Sequence, residues 1–114
     1  MRNRAWTGRL IDGALAVLAA LLMLACTAWA ASTPVTVEVK EFKFMPGSVT
    51  VPPGTTVTWR NADETPHTIT STDGVFGSSA LENAGTFAYT FSTPGTYHYF
   101  CKLHPHMHAD VVVR

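Results

Sequence analysis

The sequence predicts an all-β sandwich of antiparallel strands, preceded by a short export segment. Three observations carry this. After residue 31 apolar residues alternate with polar ones in short runs, the period of a half-buried strand. Proline and glycine punctuate the runs, as at Pro52-Pro53-Gly54 and Pro94-Gly95. No window beyond residue 31 keeps a helical period, and about seven short strands joined by turns are the pattern of a sandwich.

Taken in order, "VTVEV" places Val35, Val37 and Val39 on one face. "SVTV" follows and stops at the Pro52-Pro53-Gly54 turn. "TTVTWRN" puts Val57 and Trp59 together, and "HTITS" is a short strand rich in β-branched residues. "DGVFGSSALENAG" reads as a loop with room for one helical turn. "TFAYTF" alternates Phe87, Tyr89 and Phe91, "TYHYFC" alternates Tyr97, Tyr99 and Cys101, and "ADVVV" closes with Ala109, Val111 and Val113. The expected aromatic core is Phe42, Phe44, Trp59, Phe87, Tyr89 and Phe91. Residues 31–114 form one small domain, burying about 60–65% of the surface its unfolded chain exposes. If Tyr97 and Tyr99 face the core, Cys101 points inward too, at the end of its strand, while His98 and Phe100 face outward.

Residues 1–30 read as a signal peptide. Arg2, Arg4 and Arg9 precede the apolar run "GALAVLAALLMLACTAWA", which closes on Ala28-Trp29-Ala30 with small residues at the two positions a signal peptidase inspects. Cleavage after Ala30 is the first expectation, lipidation at Cys26 the second, and retention as a membrane anchor the third. The expected location is the periplasm. Cleavage removes Cys26 and leaves Cys101 as a lone exported thiol, an oxidation liability unless it is buried or bound to a metal.

Composition narrows the partners. The 114 residues carry a formal net charge of zero, which gives no electrostatic case for nucleic acid. From Ala31 on, five basic side chains face seven acidic ones, a net charge of −2 with histidines neutral.

The end of the chain, "YHYFCKLHPHMHADVVVR", places Cys101, His104, His106, Met107 and His108 within eight residues. From the cysteine the spacing is Cys-x-x-His-x-x-Met, so one loop offers a thiolate, an imidazole and a thioether. Thirty-four residues before Cys101, "TPHTIT" supplies His67 at the start of a strand. Two histidines and a cysteine with a weak axial methionine are the donor set of a blue-copper site, where soft sulfur suits Cu(I) and imidazole accepts Cu(II).

The stretches "VTVPPGTTVTWRNADETPHTIT" and "FSTPGTYHYFCKLHPHMHADVVV" resemble the cupredoxins, the type 1 blue copper proteins, in their amicyanin and plastocyanin branch. The resemblance covers nearly all of residues 35–113. It implies a Greek-key β-sandwich, one copper per chain, and His67, Cys101, His104 and Met107 as its ligands. The short Cys-x-x-His-Pro-x-Met loop is the form amicyanin uses. Three positions depart from that pattern. Thr68 replaces the asparagine that usually tethers the two ligand loops, and its hydroxyl can supply part of that tether. Ala109 replaces a glycine. The segment before "TFAYTF" is shorter than in amicyanin, so amicyanin's dehydrogenase partner does not carry over.

The function that follows is single-electron transport between redox protein partners, a dehydrogenase, cytochrome or oxidase, by a monomer that meets a membrane only if its N-terminal segment is retained or lipidated. The alternative is a periplasmic copper-trafficking protein. His106 and His108 favour it, but Met45 and Met107 are the sole methionines after the export segment. An enzyme is not expected, because copper oxidases and reductases need further histidine-rich sites in added domains. Zinc is disfavoured by the methionine. Taken singly, His67 reads as an ordinary histidine, Cys101 as a small buried hydrophobe and Met107 as core filler. The complete set overrides those readings. His98 and His108 are expected in solvent, and His106 beside the site's exposed edge.

Overall fold

The computed structural model describes residues 32–114; the expected signal peptide, residues 1–30, lies outside them. Among the described residues there are eight strands: β1 Val35–Lys40, β2 Lys43–Met45, β3 Ser48–Val51, β4 Thr55–Asn61, β5 Thr70–Ser71, β6 Thr86–Phe91, β7 Gly95–Phe100 and β8 His108–Val113. They make two four-stranded sheets, ordered β2-β1-β4-β6 and β3-β8-β7-β5. The sandwich is the expected one, with a refinement. β1 pairs β4 in parallel, and β3 pairs β8 in parallel; the other pairs are antiparallel. The cause is β3, which crosses to the second sheet between β2 and β4. The chain then returns beside β1 running in the same direction.

The alternation seen in the sequence fills the space between the sheets. Val37 and Val39 of β1, Val57 and Trp59 of β4, and Val111 and Val113 of β8 are buried. Trp59 is fully buried at the centre of an aromatic cluster, with ring centroids 5.4 Å from Tyr99, 5.7 Å from Phe76 and 5.8 Å from Phe87. Phe44 and Phe91 join this core, whereas Phe87 and Tyr89 are half-buried against it. The segment from Asp73 to Gly85 holds no helix. Isolated bridges pair His67 with Leu81 and Thr70 with Gly77, and Phe76 and Leu81 drop into the core. Of "HTITS", Thr70 and Ser71 alone form a ladder strand.

One expected core residue is not in the core. Phe42 is 41% exposed. It sits with Glu41 in the two-residue link between the paired Lys40 and Lys43, and both have left-handed backbones, φ 54° and 59°. Hairpins of this length favour positive φ at both link residues, which carries the side chain out of the strand's alternation.

β7 has the expected parity. Tyr99 and Cys101 are buried, Tyr97 and Phe100 are half-buried, and His98 is exposed. The Tyr99 hydroxyl and the Trp59 indole nitrogen are buried without a hydrogen-bond partner. Burial pushes the Tyr99 phenol up to about 12; the nearby Trp59 N–H opposes this and the Asp110 charge adds to it. The unfolded phenol ionises near 10. The native state therefore keeps its proton where the unfolded state loses it, so Tyr99's contribution is fully present below pH ~10 and lost as pH rises toward ~12. Tyr99→Phe should be neutral or stabilising at pH 7, because it removes an unsatisfied hydroxyl. Urea titrations of parent and variant at pH 7 and pH 11 check both points: the variant should lose less stability on alkalinisation, by about 1–1.5 kcal/mol.

Candidate metal centre

The candidate ligands come from two loops at one end of the sandwich. The first runs from the end of β4 to the start of β5. Asn61, the last residue of β4, is fully buried and shapes it. Its amide donates to the carbonyls of Thr65 (3.0 Å) and Leu81 (2.8 Å), and its Oδ1 accepts from the Asp63 N–H (2.9 Å). His67 follows Pro66 and is held by paired backbone bonds with Leu81, at 3.2 and 2.7 Å. Its ring is fully buried, and Nε2 lies 2.8 Å from Asp63 Oδ2. A carboxylate only accepts, so Nε2 carries a hydrogen, and in the neutral ring Nδ1 is then the nitrogen with a free lone pair. Burial works to raise the Asp63 carboxyl. Hydrogen bonds from the Phe42 and Glu41 N–H groups and from His67 outweigh it and hold that carboxyl below its ordinary range.

The second loop joins β7 to β8. Three backbone bonds close it: Cys101 N–H to Met107 O (3.1 Å), His104 N–H to Cys101 O (3.3 Å) and Met107 N–H to His104 O (2.9 Å). Cys101 is a free cysteine with no exposed surface. His104 is half-buried, and Met107 is 3% exposed.

Thr68 ties the loops together. Its backbone N–H donates to Cys101 Sγ at 3.3 Å, and its hydroxyl oxygen accepts from the Lys102 N–H at 2.8 Å. The threonine thus supplies the expected tether in place of an asparagine side chain.

Cys101 Sγ lies 3.7 Å from Nδ1 of His67 and 3.7 Å from Nδ1 of His104. The three donor atoms all fall within 4.8 Å of one another. Bonds of about 2.1 Å to nitrogen and 2.3 Å to sulfur, ordinary for a divalent transition ion, meeting near 120°, place those atoms about 3.8 Å apart. The two sulfur–nitrogen distances match those of a single ion shared by the three donors. The donors are one soft sulfur and two imidazoles with no carboxylate, which selects copper in a type 1 geometry.

Two neighbours escaped the sequence reading. The Phe42 ring stands edge-on to both imidazoles, its centroid 5.1 Å from that of His67 and 5.1 Å from that of His104. Asp63 is the other. The spacing Asp-x-x-x-His was its one sequence signal, and that pattern is common without meaning. His106 is exposed, with its ring centroid 6.3 Å from that of His104; His98 and His108 are exposed as expected.

Comparison with known proteins agrees with this geometry. The family described as "Cupredoxin-like domain" matches residues 13–113. Amicyanin from Paracoccus versutus is 33% identical over an alignment of 84 residues that covers 69% of this chain and 64% of that protein, so the chain spans less than two thirds of that relative's length. The Cu(I) form of a methionine-to-alanine variant of amicyanin is similar with a TM-score of 0.68 and 28% identity, over 79% of this chain and 89% of that one. A copper-containing nitrite reductase from Thermus scotoductus SA-01 also gives a TM-score of 0.68, at 29% identity, over 72% of this chain but 22% of the reductase. With that family match over most of its length and a His67, Cys101 and His104 set that forms a type 1 copper site, the chain belongs to the cupredoxin-like family.

Proposed function

We propose that the protein is a periplasmic blue copper electron carrier, with His67, Cys101 and His104 as the strong ligands and Met107 as the weak axial one. The carrying observation is the closed donor set: three donor atoms already converged, on loops locked by backbone hydrogen bonds. Bound copper supplies a Cu(I)/Cu(II) couple. The chain supplies a site that changes little between the two states, because neither ligand loop is free to follow the metal.

The geometry also favours one route for the electron. His67 and Cys101 are fully buried, whereas His104 is half-buried. Exposed Leu103 and Pro105 flank His104 in the chain, and the exposed Phe42 and His106 rings stand 5.1 and 6.3 Å from its ring. A small, mostly apolar rim suits a brief, weakly held encounter with a redox protein. We read the chain as a carrier that exchanges electrons with such partners as a monomer, rather than as an enzyme.

Adding Cu(II) to the apoprotein should produce an intense visible thiolate-to-copper band. Cys101→Ser should abolish it. Met107→Leu should keep it and raise the reduction potential, since loss of the thioether disfavours Cu(II) more than Cu(I). A colourless complex of the parent overturns the reading. Rapid loss of the copper to a competing chelator, together with slow electron exchange, would instead favour trafficking.

Copper should stabilise the fold without creating it, because most of the core cluster around Trp59 comes from the strands of the two sheets. Circular dichroism of the apoprotein should show β structure, and the melting temperature should rise with copper in excess. An unfolded apoprotein would instead mark a domain organised by its metal.

A further inference from the structure

The Asp63 backbone is fastened on both sides: its N–H donates to Asn61 Oδ1 (2.9 Å), and its carbonyl accepts from Asn83 Nδ2 (3.0 Å). The carboxylate is thereby aimed. Oδ1 accepts from the Glu41 N–H at 2.7 Å, and Oδ2 from the Phe42 N–H at 3.0 Å and from His67 Nε2 at 2.8 Å. Three donors from two segments converge on one side chain that is 13% exposed. Two of those donors belong to the left-handed Glu41-Phe42 link, which places the Phe42 ring against both ligand imidazoles.

We infer that Asp63 is a positioning residue of the copper centre: its carboxylate locks the His67 imidazole with Nδ1 toward the metal, and it makes the β1–β2 link a third loop of the site. The inference rests on the copper reading above. A carboxylate behind a ligating imidazole fixes the ring's tautomer and orientation and raises its donor strength. A full negative charge one hydrogen bond from the ligand also favours Cu(II) over Cu(I). A residue that merely shaped its loop would set the stability of the fold and leave the redox balance of the site alone.

The test uses Asp63→Asn, which keeps the shape and one acceptor oxygen but removes the charge, and Asp63→Glu, which keeps the charge. The Cu(I)/Cu(II) ratio of each protein is measured at neutral pH against the ferricyanide/ferrocyanide couple. Asp63→Asn should keep the intense band and move the ratio roughly tenfold toward Cu(I), about 59 mV for one electron. Asp63→Glu should stay closer to the parent. A ratio for Asp63→Asn within twofold of the parent, or the reverse order of the two variants, overturns the inference. Nitrogen-15 NMR of the metal-free protein gives a second readout. His67 in the parent should be a single tautomer with the hydrogen on Nε2, and Asp63→Ala should show a mixture of tautomers. A single unchanged tautomer in that variant also overturns it. If the parent forms no intense band with copper, the copper reading fails, and the NMR arm still decides whether Asp63 holds His67.

Discussion

The two hydrogen bonds from Thr68 to the β7–β8 loop set the distance on which the site depends. One ends on the Cys101 sulfur and the other starts at the Lys102 N–H. Thr68 follows His67 directly, so fixing Thr68 against Cys101 and Lys102 fixes His67 against Cys101. The 3.7 Å between Nδ1 of His67 and Sγ is the product of that constraint. The bond to sulfur has a second effect. An N–H aimed at a thiolate draws off charge that the metal would otherwise receive, so the tether and the electronic character of the site are coupled.

The remaining architecture serves this junction. Strand parity delivers Cys101 inward at the end of β7, and three backbone bonds fold the following loop back so that His104 faces the same point. Asn61 does for the other loop what those bonds do for this one, spending a fully buried amide on two carbonyls and one N–H. A buried amide with all three of these bonds made specifies a conformation instead of costing stability. Behind both loops the Trp59 cluster supplies a rigid floor, since close-packed aromatic side chains transmit strain rather than absorb it.

Much of this was legible from residue order alone. The alternation of Val35, Val37 and Val39, and of Tyr97, Tyr99 and Cys101, gave the sandwich and the inward cysteine, because a period of two is a local property. The Cys-x-x-His spacing and the distant His67 pointed to the three donors that converge, because few other uses require those side chains together. What stayed hidden is non-local. Phe42 reads as core in "EFKF", and nothing nearby says that Asp63, 21 residues later, will accept its N–H and hold the link left-handed. A hairpin link of this kind is normally announced by Asn-Gly, and Glu-Phe does not announce it. The parallel pairs were equally invisible, since they follow from where β3 crosses and not from any strand's own pattern. The loop before β6 gave no hint that Phe76 would be a core residue, because that segment has no period to read.

Several departures from local rules lie at the metal end. Glu41 and Phe42 adopt backbones that ordinary residues avoid, at about 1–3 kcal/mol each. Asn61 is buried polar, and Tyr99, two residues before the cysteine, buries a hydroxyl without a partner. Away from this end, the buried residues of β1, β4 and β8 follow the simple alternation. At the metal end a single ionised carboxylate, Asp63, offsets the strained link with two charge-assisted hydrogen bonds worth about 1.5–3 kcal/mol each, and the same side chain orients His67. The strain is thus tied to the site, and relaxing the Glu41-Phe42 link would withdraw the Phe42 ring from both imidazoles. The link's unfavourable backbone and the order of the metal centre are two aspects of one hydrogen-bond network.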